Sequence, residues 1–491
     1  MPMDDWKFWA STALVALDVA FRLVVAFRVI VRRCPVSVTL SWLLVLLFLP
    51  FVSGVLYLLV GEPRLGSRRA AAYERATRRI EEQAVLHWTR AGLTWTAEEY
   101  PYTALSRLAT ATSGMPALRG NDVELLGTGA VVLRRLVQDI DAAIHHVHLL
   151  YYIWQPGGTA EEVAEALIRA AGRGVECRVL VDAVGSKKFL RSETRRRMTE
   201  AGVRVVEALP VSPWRMLLAR ADLRNHRKIA VIDASVAYCG SQNLTDESFK
   251  FRRRKKTGPW IDATVRLRGP AVQALQTVFV RDWLMERDRD LRPIEAYFPP
   301  PSATEISTSG SPVHVVPSGP GPQAEAIHQA MLGMLLAARE EIILTTPYFV
   351  PDEATKAVLI NAALRGVEVT LVLPDVLDAH LVAAASRAHY EDLLMAGIRI
   401  VHHEEGLLHA KTATIDRSVA MLGSANFDVR SFWLNFEATL FVYDEVFASQ
   451  LRFMQQHYAN EGSPVTLAAW KRRRLGAKVR DNLAQLLSPL L

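Results

Sequence analysis

At 491 residues the chain has room for two or three domains, and its 50% hydrophobic content, with mean hydropathy above zero, is high for a protein that meets only water. Its three cysteines, Cys34, Cys177 and Cys239, stand far apart without CxxC spacing, which argues against a disulfide framework and against a cysteine zinc site. The formal charge of +7 is uneven: residues 1–80 hold eleven Lys and Arg against five acids, leaving a net of +1 for the rest, so an anionic membrane surface explains the high pI better than a nucleic-acid groove does.

Those first 80 residues read as a membrane anchor with two helices, about 8–31 and 36–60. The first is ambiguous from its residues, because Asp18 and Arg22 lie inside it as an i,i+4 pair. At 100° per residue, Lys7, Ser11, Asp18, Arg22, Arg28 and Arg32 share one sector. A spanning helix with paired charges turned toward protein and an amphipathic helix lying in the interface both fit. From Pro35 to Val60 no residue is charged, and a hydrocarbon core needs roughly 20 apolar residues, so this segment is expected to span. Arg64, Arg68, Arg69, Arg75, Arg78 and Arg79 follow it, placing the remainder in the cytoplasm by the positive-inside rule, while Arg32 and Arg33 pull the other way. No small-residue cleavage site marks a signal peptide.

Beyond about residue 115 the chain repeats itself. Val147 to Trp154 aligns with Ile342 to Phe349, each an apolar strand followed by a helix. The helices end in one tetrapeptide, Arg173-Gly174-Val175-Glu176 and Arg365-Gly366-Val367-Glu368, where glycine supplies the left-handed cap. Strands Cys177 to Asp182 and Val369 to Asp375 come next, then Gly202 to Val206 and Gly397 to Val401. Alternating strands and helices predict an α/β sandwich in each half, 115–298 and 323–491, related by a pseudo-twofold. The Pro- and Ser-rich stretch 299–322 reads as the linker.

Each half carries the pattern HxKxxxxD followed by Gly-Ser-x-Asn. The first copy is His226, Lys228, Asp233, Gly240, Ser241 and Asn243; the second is His409, Lys411, Asp416, Gly423, Ser424 and Asn426. The stretches between His and Asp are apolar and β-branched, as in buried strands, and on a strand residues two apart share a face. Each His therefore points with its Lys into one site. Imidazole serves as nucleophile or as general acid and base near neutral pH, ammonium attracts an anion, and Ser and Asn add uncharged donors for phosphate oxygens. One such histidine would be an ordinary core residue; two copies with matching tails make catalysis the better reading. Asp233 and Asp416 complete the candidate catalytic set, although their odd spacing turns them away from their histidines, which fits a structural role.

Several other features carry less. The run Arg252 to Lys256 could draw anionic lipid or be a solvated loop. Pro213 to Leu218 could dip into a membrane or be core. His402-His403-Glu404-Glu405 is consecutive and cannot easily converge on one ion. His145, His146 and His148 read as the start of a strand.

The two motifs, with Asn225-His226-Arg227-Lys228, Leu408-His409-Ala410-Lys411, the run Thr346 to Glu353, the run Gly423 to Phe432 and the hydrophobic start ending in Tyr57-Leu58-Leu59-Val60-Gly61-Glu62, resemble the phospholipase D superfamily and, within it, the bacterial cardiolipin synthases. The resemblance covers nearly the whole chain. It implies two phospholipase D-like domains sharing one active site, two amino-terminal spans in the bacterial inner membrane, and catalytic domains in the cytoplasm. Trp260-Ile261-Asp262 and Asn435-Phe436-Glu437 occupy equivalent places after the motifs, and the resemblance implies that Glu437 orients His226 while Asp262 orients His409. It further implies a phosphohistidine mechanism without metal or other cofactor, with His226 as nucleophile and His409 as acid and base. The expected substrate is phosphatidylglycerol, as donor and acceptor, giving cardiolipin and glycerol. Hydrolysis or exchange by a membrane phospholipase D uses the same residues; a nuclease is disfavoured by the nearly neutral catalytic part.

Overall fold

A computed structural model describes residues 5–32, 36–62, 64–98, 102–211, 220, 222–246, 259–287, 297, 310–321, 323–377 and 379–486. The segment Pro213 to Leu218, read as either a membrane-dipping loop or core, the basic run Arg252 to Lys256 and the linker through residue 309 lie outside these residues. The chain divides into two compact units, residues 1–67 with 211–223, and residues 68–210 with 224–491.

In the first unit, helix α1 covers Asp5–Val31, α2 Val36–Phe48 and α3 Ser53–Val60. The uninterrupted helix expected over 36–60 is not found. Pro50 has no N–H to continue the ladder, and Phe51 takes a left-handed φ of 63°, so the apolar run breaks into two short helices. Among the described residues no helix is long and apolar enough to cross a membrane.

The second unit is built on a sheet of 16 described strands. At its middle, Ser311–Ser318 pairs antiparallel with Ala117–Leu126. Outward from Ala117–Leu126 run Thr264–Arg268, Val236–Gly240, Ile229–Ile232, His146–Tyr151, Glu176–Asp182 and Arg204–Ala208. Outward from Ser311–Ser318 the same order recurs as Glu437–Tyr443, Val419–Gly423, Thr412–Ile415, Glu341–Thr345, Glu368–Pro374 and Arg399–His403. The pseudo-twofold thus passes between the two central strands. Both halves share one sheet, and the described part of the expected linker is the first strand of the second repeat.

The parallel strands His146–Tyr151 and Glu176–Asp182 are buried on both faces along almost their whole length, which is why apolar residues run together in them as Leu149-Leu150-Tyr151 and Val179-Leu180-Val181. Helices Ala271–Glu286 and Glu445–Asn460 follow equivalent strands. Val278, Phe279 and Trp283 from one join Phe447 and Leu451 from the other in a single hydrophobic cluster with the central strands. Each such side chain contributes about 1.5–3 kcal/mol on burial, so the core ties the halves together along the line where the site forms.

Candidate active site

The strands Ile229–Ile232 and Thr412–Ile415 begin one residue after each motif lysine, so His226, Lys228, His409 and Lys411 stand on the extended entries to them. These entries are held by the opposite half. His226 donates its backbone N–H to the Phe436 carbonyl at 2.9 Å, and Phe436 donates to the Arg224 carbonyl at 2.9 Å. In the other direction Leu407–Leu408 pairs in parallel with Trp260–Ile261, and His409 donates its backbone N–H to the Ile261 carbonyl at 2.8 Å. Each histidine is therefore seated by the segment that carries the other half's acid.

The side chains repeat that exchange. His226 Nδ1 lies 2.9 Å and 3.1 Å from the two Glu437 oxygens, and His409 Nδ1 lies 2.7 Å from Asp262 Oδ1. Ser424 donates to Glu437, and Ser241 donates to Asp262 at 2.6 Å, so the motif serines fix the acids. A carboxylate on Nδ1 sets the tautomer and leaves Nε2 for chemistry. Lys228 and Lys411 each donate to the carbonyl of their own histidine at 2.6 Å.

Both histidines line one cavity of about 300 Å³ together with Asn243 and Asn426. Asn243 accepts from the Ile153 N–H at 3.1 Å, and its buried Nδ2 has no partner within the protein, leaving a donor for an incoming oxygen. Asn426 likewise keeps a buried amide atom unpaired, and the amide orientation that presents its amine gives the matching donor.

Burial governs the electrostatics of this cavity. It pushes His226 down to about 4 and His409 down to about 3, so both imidazoles are neutral at pH 7 in the empty site. Burial also lowers Lys228 to about 8, and it holds Lys411 well below the usual lysine range, where the like charge of Lys228 adds to the effect. Burial opposes ionisation of Asp262 and Glu437, but their histidine and lysine neighbours prevail and hold both carboxyls below their ordinary range. A phosphodiester anion entering here meets two imidazoles whose basicity its own charge would raise, with Lys228 and Lys411 close enough to act on both electrostatically.

Asp233 and Asp416 are not in the cavity. Each sits at the far end of its strand in a two-residue turn of left-handed backbone, with φ of 51° and 52° at Asp233 and Ala234 and 49° and 57° at Asp416 and Arg417. The Asp233 carboxylate accepts the backbone N–H groups of Ile144, His145 and His146; Asp416 accepts those of Arg339, Glu340 and Glu341. Including them in a catalytic set is corrected on this geometry: they anchor the strand next to the motif.

Some cavity residues had no role assigned from sequence. Tyr152 packs its ring against His226 with centroids 4.8 Å apart, and Trp260 packs against His409 at 4.4 Å. Arg224, Tyr348, Asp428, Arg430 and Asn435 are also on the wall. Trp260 and Asn435 immediately precede the repeated Ile-Asp and Phe-Glu pairs, so the repeat marked their position without marking their chemistry. Arg227, fully buried, bridges Asp282 and the carbonyls of Glu437 and Ser318, pinning the first motif to the second half. Its counterpart is Ala410. The other two histidine clusters lie elsewhere: His146 and His148 are in the strand His146–Tyr151, and His403 bonds the Tyr458 carbonyl while His402 meets Tyr390.

A family model described as cardiolipin synthase, PLD-like domain matches residues 136–283 and 331–457, and one described as phospholipase D-nuclease N-terminal matches residues 23–62. Cardiolipin synthase A of Yersinia pseudotuberculosis serotype IB (strain PB1/+) is 40% identical over 474 residues, covering 95% of this chain and 96% of that protein. Cardiolipin synthase A of Yersinia pestis matches with the same identity and coverage. Among solved structures, the phosphatidylserine synthase of Haemophilus influenzae Rd KW20 superposes with a TM-score of 0.58 at 14% identity, over 79% of this chain and 100% of that one, which is a likeness of fold.

Proposed function

This chain belongs to the cardiolipin synthase family of phospholipase D-like phosphatidyltransferases, and from that premise we propose how its paired histidines move a phosphatidyl group between two phosphatidylglycerol molecules. His226, neutral and held at Nδ1 by Glu437, attacks the donor phosphorus through Nε2. His409, protonated once the phosphodiester is bound, gives its proton to the departing glycerol oxygen. The P–O bond breaks as the P–N bond forms, leaving phosphatidyl-His226 and neutral His409. His409 then takes the proton from the headgroup hydroxyl of a second phosphatidylglycerol, whose oxygen displaces His226 and gives cardiolipin. Lys228, Lys411, Asn243 and Asn426 hold the phosphoryl oxygens through both transfers.

The observation that carries this reading is the pair of crossed carboxylates, which gives one cavity two oriented imidazoles. Each histidine has an aromatic wall and a carboxylate, Tyr152 and Glu437 at His226 and Trp260 and Asp262 at His409, and the roles are divided as the family resemblance implies. The acceptor lipid carries its own phosphate, and Arg224 and Arg430 on the cavity wall supply cations for it. The N-terminal family match and the exposed Trp9, Leu17, Phe27 and Phe48 of the first unit support a seat in the bacterial inner membrane, with the catalytic unit on the cytoplasmic side.

Full-length protein in phosphatidylglycerol vesicles is expected to release glycerol and cardiolipin in equal amounts. Phosphatidic acid without cardiolipin would make water the acceptor and overturn the synthase assignment.

A further inference from the structure

We propose that the apolar segment 36–60 enters and leaves the same membrane face as a re-entrant helical hairpin, with α1 supplying the charges that close its tip. This rests on the reading that the first unit meets lipid, and goes beyond it in fixing how.

Contacts with α1 fix the direction of the chain. Arg22 of α1 donates to the carbonyls of Leu46 and Leu47 at 3.2 Å and 3.5 Å, near the end of α2. Only four residues separate Val31 from Val36, so α2 runs back along α1. Then α3 reverses again. Asp18 receives the Phe51 N–H at 2.8 Å, a Cβ on Gly54 would stand 2.3 Å from the Phe21 ring, and Glu62 pairs with Arg28 at 2.6 Å and Arg32 at 3.2 Å. Those contacts advance together along α1 and α3, so the two are parallel. Across the hairpin, Trp42 and Tyr57 meet edge to face with centroids 5.2 Å apart, which a continuous helix would hold about 22 Å apart at 1.5 Å per residue. The start of α2 and the end of α3 therefore lie at the same end of α1.

Lengths agree with a segment that does not cross. At 1.5 Å per residue α2 is about 20 Å long and α3 about 12 Å, against a hydrocarbon core of about 30 Å. The outer surface is apolar: Val36, Leu47, Phe48 and Val52 are each more than 60% exposed within the protein, a patch suited to acyl chains and not to water.

A helix break in hydrocarbon leaves backbone groups unpaired, which lipid cannot satisfy. Here Asp18 and Arg22, joined at 2.8 Å, satisfy them instead, the carboxylate receiving an N–H of the turn and the guanidinium serving carbonyls at the end of α2. This explains why an apolar helix carries a charged pair in its middle. It also removes the conflict in the basic residues. With a crossing helix, Arg32 and Arg33 lie on the opposite face from Arg64 and those after it; with a hairpin all stand on one face.

The test uses full-length protein lacking Cys34 (C34S), with single cysteines placed by V36C, V52C and S67C, in sealed inside-out and right-side-out membrane vesicles treated with an impermeant maleimide. The expected result is labelling of V36C and S67C from the same face and of V52C from neither until detergent is added. Labelling of V36C and S67C from opposite faces, or of V52C from the face opposite V36C, would overturn the hairpin. Labelling of all three in both preparations would instead show that the unit is not seated in lipid, and the proposal would fall with that reading.

Discussion

The two half-sites share a hydrogen-bond scaffold and differ in their walls. In each, a motif serine holds an acid, the acid holds the other half's histidine, and a lysine binds that histidine's carbonyl. Around that scaffold, His226 faces Tyr152 and a glutamate, whereas His409 faces Trp260 and an aspartate. Arg227 locks the first motif to Asp282; the second motif has Ala410 there. The scaffold is what phosphoryl transfer needs twice. The walls are where one histidine can become the nucleophile and the other the acid.

Removing the histidines separately puts the greatest strain on this division of roles. His226→Asn and His409→Asn should each lower kcat on the order of 10⁴-fold or more, since residues acting as a unit lose nearly everything when one is lost. The difference lies in what accumulates. With a donor whose leaving alcohol needs no protonation, the His409→Asn protein should retain a phosphatidyl-His226 detectable by mass spectrometry, and the His226→Asn protein should retain none. A covalent adduct on His409 instead would reverse the roles.

Glu437→Gln and Asp262→Asn come next. Each keeps the shape and loses the charge, and each should cost up to about 10⁴-fold in kcat, as when a triad aspartate becomes an amide. Because the partnership is crossed, Glu437→Gln should abolish formation of the covalent intermediate, while Asp262→Asn should be partly relieved by a donor with a better leaving group. Equal relief of both variants would show that the walls do not divide the roles.

Arg227 should break the symmetry of stability. Arg227→Ala leaves Asp282 buried with the Asn225 amide but without its cation, and loss of one member of a buried pair costs about 3–5 kcal/mol. Thermal unfolding should report that loss, with no comparable effect from Ala410→Ser on the other side.

Acid should act on both half-sites in the same direction. The folded protein holds His226 at about 4 and His409 at about 3, below the unfolded value near 6.5. The unfolded chain therefore binds protons first as pH falls, and stability drops from about pH 6.5 until each folded value is reached, at roughly 1.4 kcal/mol per pH unit for each group. Denaturant midpoints measured from pH 7 to 4 should fall less steeply in His409→Asn than in the parent. Bound phosphodiester should lessen the acid loss, because its charge favours the imidazolium in the folded state and raises the folded values toward the unfolded one.

Much of the site was legible because the chain states it twice. Repetition identified the histidines, lysines, serines and asparagines, and it located Asp262 and Glu437 by equivalent position where neither would stand out alone. Arg227 and Asp282 were invisible for the same reason: they have no repeat partner, and a lone arginine inside a motif looks like any surface residue. The strand Ser311–Ser318 was hidden by its prolines. Pro312 falls where the register with Ala117–Leu126 shifts, and Pro317 lies beyond that pairing, so neither ring interrupts a ladder on both sides. In the anchor, charge content suggested a span and concealed the break at Pro50, although a proline inside an apolar run was the available signal.

The smallest effect should come from the motif position at the far end of its strand from the cavity. Asp233 and Asp416 each gather three backbone N–H groups at the start of the adjacent strand, in turns of the same left-handed geometry. Asparagine tolerates that backbone but loses the charge and one accepting oxygen. Asp233→Asn and Asp416→Asn should therefore each cost about 1–3 kcal/mol in unfolding free energy, with kcat per folded molecule close to the parent's. The two costs should also match, since neither turn touches the walls that distinguish the halves. A hundredfold fall in kcat at unchanged stability in either variant would return that aspartate to the chemistry and show that the scaffold extends further from the cavity than its hydrogen bonds indicate.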